Sequence, residues 1–144
     1  MVEGRNIDVN EIVRAYVSQI EGIRAEIAKL DAAVSALRQS LATLRSLKSL
    51  GEGKVVLVPV GSIAQVEMKI EKLDKIVVSI GQNISAELEY EEALKYIEEE
   101  INKLLAARLI LEQTIAELYT KIEEEINKLQ EEETKEEEEN AKEE

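Results

Sequence analysis

The residues of this chain that could do chemistry are few, and their spacing decides what each can do. Glu98-Glu99-Glu100 offers three adjacent carboxylates, the raw material of an acid–base pair or a calcium site. Consecutive positions on a helix point in different directions, so the three cannot converge on one ion, and the cluster reads as a solvated face. Gly51-Glu52-Gly53-Lys54 has the outline of a phosphate loop. A phosphate cradle needs a longer spacing between its glycines and a Ser or Thr after the Lys; Val55 follows here, so the segment reads as a helix-to-strand turn. Asn83-Ile84-Ser85 matches a glycosylation sequon, but Asn83 falls at a hairpin turn that uses its backbone tolerance. Arg108 stands in a row of aliphatic residues, where it either fixes the register of paired helices or carries its charge to water along a packed stem. The chain contains no Cys and no His. Thiol nucleophiles, disulfides, Ser-His-Asp triads, imidazole acid–base steps and the usual structural zinc sites are thereby removed. No catalytic residue, metal or cofactor is expected, and the chain reads as a scaffold or binding surface.

Composition narrows the partners. Of 144 residues 34% are charged, with 31 Asp and Glu against 18 Lys and Arg, a net charge of −13. Phosphate-backbone binding depends on basic residues displacing counterions, so nucleic acid is a poor partner. No apolar run is long enough to span a bilayer, and Met1 to Asn10 carries two acids and no apolar core of leader length. A cytoplasmic protein without a membrane partner is expected, and the absence of Cys suits a reducing compartment. Residues 131–144 hold nine Glu and two Lys, so this tail carries −7 and the remainder −6. With dense like charge and no apolar face, the tail is expected to be disordered.

Two helical rods must position whatever surface does the work. Val9, Val13, Tyr16, Ile20, Ile23, Ile27, Leu30, Val34, Leu37, Leu41 and Leu44 alternate spacings of 4 and 3, the a and d seam of a coiled coil. This predicts a helix over 8–49, stopped by Gly51 and Gly53. Leu94, Ile97, Ile101, Leu104, Arg108, Leu111, Ile115, Leu118 and Ile122 form a second seam. Its spacing then slips toward Tyr119, Ile122, Ile126 and Leu129, a stutter that would loosen the coil, and the second helix is placed at 90–130. Forty helical residues make a rod about 60 Å long, too long for a compact globule whose radius of gyration would be about 15 Å. Matched lengths and a connection at one end predict an antiparallel pair in which facing residue numbers sum to about 140, with Leu44 near Ile97 and Val9 near Leu129.

Between the helices the apolar period changes to 2. Val55 to Val60, Gln65 to Ile70, Lys75 to Ile80 and Ile84 to Leu88 read as four strands in two β-hairpins over 54–89, with turns at Gly61-Ser62 and Gly81-Gln82-Asn83. Isolated hairpins are marginal and leave edges unpaired. Strands apolar on both faces suit burial on both sides, which closure with other subunits into a barrel-like platform would supply. The interface expected there comprises Val55, Val56, Leu57, Val58, Val60, Val66, Met68, Ile70, Ile76, Val77, Val78, Ile80, Ile84 and Leu88. The fold class is α+β: a long antiparallel coiled coil with two β-hairpins at one end.

This layout, with Val-Leu-Val-Pro-Val-Gly-Ser at 56–62 and Asp-Lys-Ile-Val-Val-Ser-Ile-Gly at 74–81, resembles the prefoldin α-type subunit over about residues 8–130. The stretch from Leu57 to Tyr96 is most similar to the filament-forming γ-type of archaeal prefoldins. The resemblance implies an ATP-independent chaperone whose hairpins assemble a platform and whose coiled coils hold non-native proteins at their tips. It implies self-assembly into filaments or, for an α subunit, a hexamer with β-type subunits that delivers clients to a group II chaperonin. Client binding requires apolar side chains beyond those the seam buries. From Glu21 to Thr43 the first helix has no large apolar residue off the seam, only alanines such as Ala25, Ala28, Ala32, Ala33 and Ala36, whereas Ile7, Ile12 and Val17 lie off it nearer the N-terminus. With Val9, Val13, Tyr16 and Ile20, and with Leu118, Tyr119, Ile122, Ile126 and Leu129 on the second helix, they form the expected client site. Leu105, Leu109 and Ile110 are also off the seam, open to a neighbouring subunit or to the client. A structural filament or spacer without clients would need the seam alone.

Overall fold

A computed structural model describes the backbone from Val2 to Glu143 and side chains from Asp8 to Glu143. The order is helix α1 (Val2–Leu50), strands β1 (Val55–Val60), β2 (Ala64–Lys69), β3 (Lys75–Gly81) and β4 (Ile84–Glu89), then helix α2 (Tyr90–Glu143). This is the expected α+β arrangement of two long helices and two antiparallel hairpins. The helices are longer than expected at their free ends. α1 starts at Val2 rather than residue 8, and α2 continues past 130 to Glu143. The second difference corrects the expected disorder of 131–144, because residues up to Glu143 form exposed helix. A nucleated helix gains one hydrogen bond for each further residue it fixes, and Glu and Lys are good helix formers. Glu131 with Lys135, and Glu138 with Lys142, stand four residues apart in the favourable order, with Lys142 in the last turn.

The chain divides into two compact units, Met1–Asp31 with Ala106–Glu144, and Ala32–Leu105. In the first, Ile20 and Leu118 are buried, while Val9, Val13, Tyr16, Ile122 and Leu129 are half-buried around them. The covered positions on α2 run Leu118, Ile122, Glu125, Leu129. The 4-3 spacing therefore continues, and the expected slip onto Tyr119 and Ile126 does not occur. Glu125 is the reason: it holds a seam position with its side chain only 22% exposed and its carboxylate 3.7 Å from the Lys128 ammonium. A pattern that counts apolar residues alone skips such a site. Across the seam Arg24 donates to the Tyr119 hydroxyl and Arg108 donates to Asp31, as antiparallel pairing requires.

In the second unit, Val34 and Leu41 of α1 pack with Ile97 and Ile101 of α2, flanked by Leu37, Leu44, Leu94 and Leu104. Leu44 thus falls beside Ile97, as the register predicts. Gly51 ends α1 at φ 88°, and its N–H donates to the Leu47 carbonyl at 3.1 Å, a left-handed cap that glycine adopts without a Cβ clash. Tyr90 opens α2 as a buried pin: its N–H donates to Asp74 O at 3.1 Å, its hydroxyl to Leu44 O at 3.4 Å, and the Lys48 ammonium lies 4.9 Å from its ring. β1 pairs with β2, and β3 with β4, as two separate two-stranded sheets. Val56 faces Met68 and Val58 faces Val66 in the first; Ile76 faces Leu88 and Val78 faces Ala86 in the second.

Candidate functional site

The motifs with a chemical outline resolve into structure. Gly53, at φ 84°, donates its N–H to the Ile70 carbonyl at 2.7 Å, and Ile70 donates back to Lys54 O at 2.9 Å. The amide a phosphate cradle would use therefore extends the β1–β2 ladder. Glu98 accepts from Arg45 at 2.8 Å and Glu100 accepts from Lys103 at 3.0 Å. That hydrogen bond, and then the charge of Glu100, holds the Lys103 ammonium above its ordinary pKa. Asn83 occupies the β3–β4 turn at φ 59°, a conformation Asn tolerates. Arg108 spans the seam to Asp31 at 2.7 Å and pairs along its own helix with Glu112. The Asp31 hydrogen bond, then the charges of Asp31 and Glu112, raises its pKa further above the usual guanidinium value. Among the described residues, no group of three or more acidic side chains could hold a metal ion.

The hairpins present the larger apolar surface. Val55, Leu57 and Val60 of β1, Val66 and Met68 of β2, Val77 and Ile80 of β3, and Ile84 of β4 are exposed. Val56, Val58, Ile76, Val78 and Leu88 are half-buried, and Ile70 is buried within its own chain at 8% exposure. Ile70 therefore cannot contribute a contact as free as those of its neighbours. One residue that pattern reading missed is Ile63, in the turn between β1 and β2, which is 99% exposed. Its signal was an aliphatic side chain at a turn position, where polar residues are the rule. Val77, Val78 and Ser79 of β3, with Leu37, Ser40 and Leu44 of α1 and Ile97 of α2, border an open groove of ≈ 600 Å³.

In the first unit, the residues expected to meet clients separate into two groups. Ile20 and Leu118 are 3% and 5% exposed, so they are seam core and not client surface. Their 4-3 positions bury them against the opposite helix. Ile12, Val17, Tyr119 and Ile126 are 38–45% exposed and stand off the seam; the Val9, Val13, Tyr16, Ile122 and Leu129 edges lie between. Tyr119 is tied down by Arg24, whose guanidinium also lies 5.9 Å from the ring centre. Ile7 lies outside the described side chains. Leu109 and Ile110 of the same unit are 55% and 63% exposed, and Leu105, in the other, 37%.

A family model described as "Prefoldin subunit" matches residues 16–135. The chain belongs to the prefoldin family. Prefoldin subunit alpha 2 of Methanocaldococcus jannaschii is 78% identical over 120 residues, covering 83% of this chain and 82% of that protein. Prefoldin subunit alpha 2 of Thermococcus kodakarensis is 33% identical over 116 residues, covering 81% and 82%. Among solved structures, filamentous PFD from M. jannaschii superposes with a TM-score of 0.76 at 76% identity, covering 83% of this chain and 98% of that one. The α-type resemblance read from the hairpin motifs is thus confirmed, as is the fold. At the coarse level the chain is a prefoldin-type chaperone subunit. Among the described residues, no helix is long and apolar enough to cross a membrane.

Proposed function

We propose that this prefoldin subunit joins copies of itself through its hairpins into filaments and holds non-native proteins, without ATP, on the off-seam aliphatic residues of its coiled coil. The observation that carries the reading is the apolar surface the hairpins leave uncovered. A buried methylene is worth about 0.8 kcal/mol at about 25 cal/mol per Å², or about 32 Å² per aliphatic carbon. On that scale the exposed parts of Val55, Leu57, Val60, Ile63, Val66, Met68, Val77, Ile80 and Ile84 amount to about 600 Å². A standard interface buries about 800 Å² per partner, of which about 500 Å² is apolar, so the hairpins alone carry enough for one. The relative described as filamentous supports an open assembly over a closed one.

Client capture rests on Ile12, Val17 and Ile126, which a pure spacer would not need. Many weak contacts on neighbouring coils would raise the effective concentration of holding surface. A β-type partner and delivery to a group II chaperonin form the second reading, favoured by the α-subunit name of the relatives. Purified chain, alone and then with a β-type subunit, is to be imaged by electron microscopy and tested for suppression of client aggregation without nucleotide. Filaments from the chain alone support the first reading. Discrete particles formed only with the β-type subunit support the second, and assemblies that suppress no aggregation leave the spacer.

A further inference from the structure

Resting on the reading that copies assemble through their hairpins, we infer that Ile63 of one copy inserts into the groove between α1 and β3 of the next, a knob-and-groove contact that sets the direction of growth. Each chain carries −13, so two copies repel, and a contact that joins them has to avoid setting like charges face to face. The first hairpin meets that demand. Residues 55–66, Val-Val-Leu-Val-Pro-Val-Gly-Ser-Ile-Ala-Gln-Val, carry no charge in a chain that is 34% charged, and Ile63 stands in the turn between their two strands, 99% exposed.

The groove meets the same demand. Leu37, Ser40 and Leu44 of α1, Val77 of β3 and Ile97 of α2 border it, and none of its lining residues is charged. Its ≈ 600 Å³ exceeds what one side chain fills, so the whole turn can enter with Ile63 leading. Because Ile63 is almost wholly exposed, it does not occupy the groove of its own chain. Knob and groove are different patches on one chain. A contact between them is heterologous, and repeated without closure it generates an open filament rather than a two-fold dimer.

The chain has no Cys, so two introduced thiols can report the contact. The full chain carrying Ile63→Cys with Ser40→Cys is assembled, oxidised mildly and run on a non-reducing gel. A ladder of covalent oligomers is expected, with each single variant giving no ladder. A cross-linked monomer would show the turn folding back into its own groove, and filaments without any ladder would show assembly through other contacts; either overturns the inference while the filament reading stands. Absence of filaments in the unmodified chain overturns both. As a second readout, Ile63→Ser should raise the concentration needed for filament growth by about tenfold or more with helix content unchanged, since Ile63 packs against nothing in its own chain. An unaltered threshold contradicts the contact.

Discussion

Replacing Ile12, Val17 and Ile126 together by Ser removes three off-seam aliphatic side chains of the first unit, with Leu109 and Ile110 untouched, while leaving Ile20 and Leu118 packed. Their exposed fractions are 38%, 42% and 41%. At about 32 Å² per aliphatic carbon they offer a client about 140 Å², which complete burial would make worth about 3.5 kcal/mol. A mobile client covers such a surface incompletely; half coverage gives about 1.8 kcal/mol, or about 20-fold in affinity. The assay is light scattering from a thermally unfolding client, read as the subunit concentration that halves aggregation, with microscopy confirming that assembly persists and circular dichroism that the helices do. The concentration should rise by about 20-fold. If it is unchanged while filaments remain intact, these residues do not hold clients and the reasoning fails.

Other outcomes follow from the same geometry. Leu118→Ala or Ile20→Ala should destabilise the chain by about 2–4 kcal/mol in thermal unfolding, far more than Ile12→Ala, because only the first two leave a cavity in packed seam. Arg108→Ala and Asp31→Ala should be non-additive at low salt and additive at high salt, and additivity throughout would dismiss the pair. Arg108 and Lys103 have raised pKa values, so their stabilisation is complete below the unfolded-state values and is lost only as pH rises through the folded ones. Unfolding followed from neutral to strongly alkaline pH should therefore show these contributions fading only at the alkaline end. Gly51→Ala should cost about 1–2 kcal/mol because φ is 88° there, while Asn83→Gly should be close to neutral. Deleting 131–144 should lower helix content and cut the net charge from −13 to −6 without loss of assembly; dissolution of filaments would give the acidic helix a structural role.

The seam was legible because burial on a helix leaves a 4-3 imprint, and both hairpins were legible because a pleated strand leaves a period of 2. Those two periods located Ile20, Val34, Leu41, Ile97, Ile101 and Leu118 in the core and every strand to within a residue or so. What periodicity could not show are features set by propagation, pairing or exposure. Glu125 keeps the seam in step although it is charged, because its carboxylate turns to Lys128. Residues 131–143 are helical because α2 was already nucleated, although no apolar face recommends them. The Arg24–Tyr119 and Asp31–Arg108 contacts join residues 95 and 77 positions apart, so they required the register before they could be named. Ile63 belongs to a turn, which has no period, and its exposure is visible only once the chain is folded.

The central claim is that this chain assembles with itself through exposed hairpin aliphatics. Electron microscopy of the purified chain without any other subunit tests it most directly, with Leu57→Asp and Val77→Asp as paired controls on the hairpin surface. Long filaments from the unmodified chain, abolished by the two substitutions while the helical spectrum is retained, are the predicted result. Monomers or discrete particles from the unmodified chain, or filaments that survive both charges, would contradict it.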